Sequence, residues 1–413
     1  MKTTAICFQN NVIFVPITGT VHKFDSNSIK LNGRRWRAVL TDIELTEDQK
    51  NKNIESFIEH RKNLLSLPVD KLAIVPTADC AGRCAYCYAK SNRDNDVGFI
   101  EFEDLMNCLL TISNEYKVNP AQYKSIIIYG GEPFLYPEKL EKVISIFRNA
   151  SIGITTGLLF SDELFGKLME ILERNPNVSL SCSIDPKQED GSLYPRVFPG
   201  VEDVYSFLTK RIIFLISKFG DKNRIGLRMT ITENAYNFSS VLDYLNRITG
   251  KSLGATIELV DDKEIPKNIL TTVCDQLASR GDTEKLAPGR RFIFDPFKKD
   301  AYVNALGDCD QLFGRLTIDY KGRFHACSET AAINDSLLVT PPDFSKLEES
   351  RTKLWDKCWG CPFVFLCGGL CFAKRPTTSR CIWRQVNICE GLYHSLGKLT
   401  DEEITRAISI SKE

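Results

Sequence analysis

Histidine, methionine and tryptophan are scarce in this 413-residue chain, with four of each. His22, His60, His325 and His394 show no spacing that would gather them around one metal ion, and only His325, two residues before Cys327, stands near another potential ligand. Net charge is missing too: 53 Lys and Arg balance 53 Asp and Glu, so no overall field selects nucleic acid or an anionic membrane as a partner. Substrate recognition must therefore be local. Long apolar runs are absent as well. Nothing approaches the ~18 to 20 residues of a membrane span, and the opening stretch MKTTAICFQNNVIF is interrupted by Gln9, Asn10 and Asn11. The expectation is a cytoplasmic protein without signal peptide or membrane partner. No heptad, solenoid or low-complexity repeat is present.

Cysteine, by contrast, is abundant. Of 15 residues, three stand between positions 80 and 87 and eight between 309 and 389. Without an export signal a disulfide scaffold is disfavoured, and clustered cysteines then read as metal ligands or redox groups. Iron-sulfur or zinc chemistry follows from that placement. Cys108, Cys182 and Cys274 fall on apolar helix or strand faces and read as small core hydrophobes. Cys7 has no assigned role.

Residues 1–69 read as a small β-rich module with short runs at Thr4 to Phe8, Val12 to Ile17 and Val21 to Phe24 and one polar helix near Glu47 to Leu65. From residue 70 to 284 the texture changes to six strand-like runs alternating with amphipathic stretches, from KLAIVPT to NILTTVCDQLA. Six β/α units in series imply an α/β fold with a parallel sheet, in the form of a partial (β/α)6 TIM-type barrel. Such a barrel leaves a wide cleft. Residues 285–308, punctuated by Pro288, Gly289 and Pro296, read as a bridge, 309–395 as a cysteine-rich domain and 396–413 as a C-terminal helix or tail. Within the cysteine-rich part, residues 331–350 with Pro341 and Pro342 read as an inserted loop.

Two strands show their faces. Val178, Leu180, Cys182 and Ile184 alternate with Ser179, Ser181, Ser183 and Asp185, and Ile225, Leu227, Met229 and Ile231 alternate with Gly226, Arg228, Thr230 and Thr232. With a period of two the polar members line the barrel interior, and Arg228 points into the cavity that Asp185 faces. A half-buried sheet over solvent gives the same alternation.

Cys80, Cys84 and Cys87 follow the first barrel strand directly, on a loop at the end where barrel chemistry resides. Thiolates spaced in this way can hold three irons of a [4Fe-4S] cube and leave the fourth without a protein ligand. A zinc site is the alternative, but its usual paired cysteine spacing does not occur here. This CxxxCxxC segment, with Tyr86 before its last cysteine, resembles the radical S-adenosylmethionine superfamily. The resemblance implies that Cys80, Cys84 and Cys87 hold a cluster whose open iron chelates the amino and carboxylate groups of S-adenosylmethionine. An electron then splits the sulfonium bond, and the 5'-deoxyadenosyl radical abstracts a hydrogen from substrate. Tyr129-Gly130-Gly131-Glu132-Pro133 is similar to the family's glycine-glycine-glutamate motif, which contacts the methionine ammonium. By the same resemblance Tyr86, Thr156, Ser183, Asp185 and Arg228 are cofactor-binding residues, the last three directed to ribose and carboxylate. A buried Arg-Asp pair that merely braces the barrel would leave the same trace.

The later cysteines match the seven-cysteine SPASM domain: Cys309, Gly322 and Cys327, then Cys358, Cys361, Cys367 and Cys371, and last Cys389. The resemblance implies that Cys309, Cys327 and Cys371 serve auxiliary cluster I, while Cys358, Cys361, Cys367 and Cys389 close auxiliary cluster II. The fourth ligand of cluster I is open among Cys381, Asp308, Asp310 and a position left for substrate, and Cys381 is a rival to Cys389 in cluster II. Three [4Fe-4S] clusters amount to roughly 12 irons per chain.

Enzymes of this resemblance are mostly peptide and protein maturases. The leading expectation is a modification of a ribosomally synthesised precursor peptide: a crosslink, an epimerisation or a backbone excision. Residues 1–69 would be a degenerate leader-recognition element, or a separate small recognition protein would supply that role. A reductase, flavodoxin or ferredoxin would donate electrons. A sulfatase-maturase activity is an alternative, weakened because Ser328 stands where that group carries Asp. The others are a small-molecule dehydrogenase and, from a different class, an iron-sulfur electron carrier. No catalytic acid or base is assigned.

Overall fold

The computed structural model describes residues 2–7, 12–15, 20–23, 34–35, 38–44, 71–87, 97–116, 119–188, 194–220, 224–260, 265–280, 286–288, 315–325, 338–339 and 399–412, with isolated positions between them. Strands β1 (Lys2–Cys7), β2 (Val12–Val15), β3 (Thr20–Lys23), β4 (Arg34–Arg35) and β5 (Ala38–Glu44) form an antiparallel sheet in the order β3-β2-β1-β5-β4. β1 lies along β5 from Lys2 opposite Glu44 to Cys7 opposite Val39. The sequence pattern misses β4 and β5, because adjacent Val39 and Leu40 break the alternation that marks a half-buried strand. Of the polar helix expected near residues 47–65, only Asp48, Asn51 and Glu55 are described, each helical.

The second sheet carries the β/α units. β6 (Lys71–Ile74), β7 (Ser125–Ile128), β8 (Ser151–Thr156), β9 (Val178–Ser183), β10 (Ile225–Ile231) and β11 (Ala255–Leu259) are parallel neighbours in chain order. Between and after them run α1 (Phe102–Tyr116), α2 (Pro137–Ile146), α3 (Asp162–Arg174), α4 (Val204–Phe219), α5 (Phe238–Thr249) and α6 (Lys267–Arg280). This is the α/β partial barrel expected from the pattern. Ile152, Ile154, Leu180, Cys182, Leu227, Met229 and Ile257 are all buried in one core with the helices' apolar stripes, among them Phe238, Val241, Leu242 and Leu245 of α5. The residues between them on the strands, such as Ser179, Ser181, Arg228 and Thr230, are half-exposed on the concave face.

Local chemistry sets the helix limits. Ser161 caps α3 by accepting from Leu164 N at 3.3 Å, with Asp162 and Glu163 in the first turn and Arg174 in the last. Gly250 ends α5 in the left-handed region at φ +66°.

The sheet is wider than six strands. β12 (Leu286–Pro288) extends the β11 edge in parallel, inside the stretch that reads as a bridge. At the other edge β13 (Arg315–Ile318) pairs in parallel with β6, and β14 (Phe324–His325) and β15 (Leu338–Val339) follow antiparallel. Leu338–Val339 is thus strand where the sequence reads as loop. Among the described residues β12 and β15 are the ends of this sheet, which stays open. Cys309, Cys327, Cys358, Cys361, Cys367, Cys371, Cys381 and Cys389 lie outside the described residues. In the C-terminal part α7 (Asp401–Lys412) packs against β3 and buries Ile404 and Ala407. No helix among the described residues is long and apolar enough to cross a membrane.

Buried Arg224 fastens one margin of the barrel: its guanidinium donates to Val178 O at 2.7 Å and to Leu172 O and Asn175 O at 2.8 Å. Replacing it with alanine strands these carbonyls, and the expected cost is about 3 kcal/mol, read as a lower urea midpoint with unchanged m-value.

Candidate active site

β6 ends at Ile74, and the chain runs through Val75, Pro76, Thr77, Ala78 and Asp79 into Cys80. Thr77 is fully buried; its Oγ1 donates to Gly98 O at 2.6 Å and accepts from Asp79 N at 3.0 Å. The Asp79 carboxylate accepts from Val97 N at 3.1 Å, Gly98 N at 2.9 Å and Tyr136 Oη at 2.6 Å. The cysteine loop is held where it leaves the sheet and where it returns.

A second loop lies directly on it. Gly131 N donates to Thr77 O at 2.9 Å and Glu132 N to Asp79 O at 2.7 Å. A Cβ on Gly131 would sit 2.1 Å from Asp79 O, and one on Gly130, where φ is +138°, would sit 2.6 Å from Thr77 O. Openness toward a ligand is what the sequence suggests for these glycines; their nearer constraint is the backbone of residues 77–79.

Glu132 turns inward and is buried. Thr156 Oγ1 donates to both its carboxylate oxygens at 3.0 Å, and Gly157 N at 2.9 Å and Phe134 N at 3.3 Å complete the shell. Leu158, with φ +55°, turns the chain after β8 so that its N–H reaches Thr156 Oγ1 at 3.0 Å. Burial outweighs these donors and pushes the Glu132 carboxyl up to about 7.

On the other side, Arg83 N donates to Val197 O at 2.7 Å and Ala85 N to Pro195 O at 2.9 Å, so residues 195–197 run as a ribbon along the cysteine loop. Arg196 is buried there. Its Nε and Nη2 donate to Asp185 at 2.7 and 3.1 Å, and its Nη1 lies 3.8 Å from Cys84 Sγ. Asp185, fully buried, also accepts from Tyr86 Oη and from Thr230 N at 2.9 Å, while Tyr194 Oη accepts from Asp185 N at 2.8 Å. Burial, with Asp185 adding to it and Arg196 opposing, holds the Tyr86 phenol well above its ordinary range.

Of the expected cofactor residues, Tyr86 and Asp185 are joined in one cluster, and Gly130, Gly131, Glu132, Pro133 and Thr156 in another. Ser183 is buried at the end of β9. Arg228 stands apart, half-exposed, with Nη2 3.5 Å from Glu258 Oε1. Asp185 is therefore paired with Arg196 and not with Arg228. Arg196 escapes sequence reading because its segment has no periodicity; Asp79 and Tyr136, flanking the two motifs, are hinted at only by proximity.

Cys80 and Cys87 are half-buried, Cys84 is buried, and none of the three is in a disulfide. Among the described residues no three His, Cys, Asp or Glu side chains close around a single ion. Three thiols on one glycine-containing loop, one facing a guanidinium, fit a polynuclear cluster in which each thiolate holds a different iron. Cys108 and Cys182 are buried, and burial pushes the Cys108 thiol up to about 12, as suits a packing role. His325 is buried with Nε2 2.8 Å from Asp319 and, among the described residues, no partner at Nδ1.

A parallel β/α sheet with a three-thiol loop after its first strand and a glycine-glutamate strap on that loop defines a cofactor-binding barrel. The radical SAM superfamily profile matches residues 74–194, and this stretch is a radical SAM domain. GTP 3',8-cyclase of Microcystis aeruginosa is 29% identical over 127 residues, 30% of this chain and 37% of that protein. The match thus spans little more than a third of the relative's length. Streptococcus suis SuiB bound to precursor peptide SuiA aligns over 90% of this chain and 95% of that one, at 15% identity and TM-score 0.51. The structure described as native anSMEcpe with bound AdoMet aligns over 83% and 99%, at 15% identity and TM-score 0.52. These structural likenesses establish the fold.

Because the Glu132 carboxyl titrates higher in the folded chain than the ordinary 4.5, its stabilising contribution is complete below pH 4.5 and is lost as pH rises through about 7. Relative to Glu132→Gln, the wild type is expected to lose roughly 3 kcal/mol of unfolding free energy across that window, measured by urea titrations at each pH.

Proposed function

We propose that this protein is a radical S-adenosylmethionine maturase that abstracts a hydrogen from a ribosomally synthesised peptide and so initiates its modification. The observation that carries the reading is the Gly130–Pro133 strap hydrogen-bonded to Thr77 and Asp79, the backbone that leads straight into Cys80, at the C-terminal end of the sheet. When bound, the cluster supplies one electron to S-adenosylmethionine, whose sulfonium bond breaks to give the hydrogen-abstracting radical. Cys80, Cys84 and Cys87 would hold that cluster. Glu132, backed by Thr156 and Gly157, would accept from the methionine amino group. Ser183 and Arg228 would meet ribose and carboxylate from the concave face, and Asp185 would act by fixing Tyr86 and Arg196.

The spacing of Cys309, Cys327, Cys358, Cys361, Cys367, Cys371 and Cys389 supports a SPASM domain over residues 309–395, with two auxiliary clusters. Likeness to a structure bound to a precursor peptide, over 90% of the chain, supports a peptide substrate. Residues 1–69, or a separate small recognition protein, would bind its leader, and a reductase, flavodoxin or ferredoxin would supply electrons. The match to GTP 3',8-cyclase favours a second reading, a small-molecule substrate.

Anaerobic, reduced, reconstituted enzyme is expected to release 5'-deoxyadenosine and to change the mass of a short peptide encoded beside its gene. Cys84→Ala is expected to release none. Lack of 5'-deoxyadenosine from the wild type sinks the radical reading, and active cleavage with every such peptide untouched transfers weight to the small molecule. The Glu132 carboxylate accepts from the cofactor's amino N–H more strongly than the neutral carboxyl does, so affinity for S-adenosylmethionine is expected to rise with pH toward about 7 and to level off above. Glu132→Gln should bind more weakly and without that slope, as measured by equilibrium dialysis.

A further inference from the structure

We infer that Arg196 is the positioning residue that sets the reduction potential of the cluster held by Cys80, Cys84 and Cys87, through a charge-assisted hydrogen bond to the Cys84 sulfur. The inference rests on the reading of those cysteines as cluster ligands. Two edges of the guanidinium have different work. Nε and Nη2 are taken by Asp185 at 2.7 and 3.1 Å, which leaves Nη1 facing Cys84 Sγ at 3.8 Å. Asp185 is itself held by Tyr86 Oη and by Thr230 N at 2.9 Å, and the guanidinium lies 5.6 Å from the centre of the Tyr86 ring. The main chain fixes the distance as well, since Val197 O and Pro195 O, on either side of Arg196, accept from Arg83 N and Ala85 N, on either side of Cys84.

The physical consequence is directional. Reduction adds one negative charge to the cluster, and a guanidinium that stays protonated stabilises that charge. Its counter-ion Asp185 lies on the far edge of the fork, so the positive end of the ion pair faces the sulfur. Burial of both partners keeps water from screening this dipole. Hydrogen bonds and charge at the sulfurs are established determinants of iron-sulfur potentials. A lysine has no fork with which to engage Asp185 and Cys84 at once, which accounts for arginine here.

The test is a spectroelectrochemical titration of the full-length, iron-loaded chain, following the EPR signal that disappears in the Cys80, Cys84 and Cys87→Ala triple variant. Arg196→Gln is expected to lower the midpoint, so that at the wild-type midpoint the reduced-to-oxidised ratio falls about tenfold, or 59 mV for one electron. Asp185→Asn, which keeps the guanidinium and removes its counter-charge, is expected to move the midpoint the other way and covers the case in which Arg196→Gln does not load iron. Midpoints unchanged at equal iron content in either variant overturn the inference and leave the cluster reading intact. No signal dependent on the three cysteines overturns both, and is recognised by iron content equal in wild type and triple variant.

Discussion

The site depends on the contact of two loops, Gly131 N with Thr77 O and Glu132 N with Asp79 O. Three cysteines within eight residues cannot organise themselves; a loop so short of regular structure needs backbone partners to hold its thiols in one orientation. The strap after β7 supplies them from one side and the 195–197 ribbon from the other. Both approaches need close main-chain contact, and at Gly131 any Cβ would collide with Asp79 O. Thr77 and Asp79 then tie the same backbone to residues 97–98, so the loop, its return and the strap behave as one unit.

Two buried carboxyls beside this unit have opposite surroundings. Glu132 is met by uncharged donors, a threonine hydroxyl and main-chain N–H groups, and its proton is retained to an unusually high pH. Asp185 is met by a guanidinium that continues to Cys84. The first carboxyl is met by neutral donors and carries its charge only above about pH 7; the second is already paired and serves as scaffold. That division separates residues that would touch a cofactor from those that hold the cluster loop.

Much of this was legible in the sequence because it is carried by periodicity or by local motif. Strands β9 and β10 show their two faces in alternating residues, and CxxxCxxC and GGEP are contiguous. What the sequence could not reveal joins segments far apart in the chain. Arg196 finds Asp185 across 11 residues and Cys84 across 112. The pattern does place Arg228 and Asp185 on one polar face, but a shared face does not decide which charges meet. β13 shows why the edge of a sheet is equally opaque: a four-residue strand beside β6 is specified by its neighbour, with Val75 N reaching Ile318 O at 2.8 Å. Through β13 the C-terminal part of the chain joins the strand that leads into the cysteine loop.

The central claim is that Cys80, Cys84 and Cys87 leave one iron open to S-adenosylmethionine. Electron-nuclear double resonance on the reduced protein, with S-adenosylmethionine labelled at its amino nitrogen and carboxylate oxygen, measures that contact directly. The account predicts hyperfine coupling of both labels to the cluster, lost in Cys84→Ala. A reduced cluster dependent on these cysteines but without coupling to either label, at saturating S-adenosylmethionine, would contradict it.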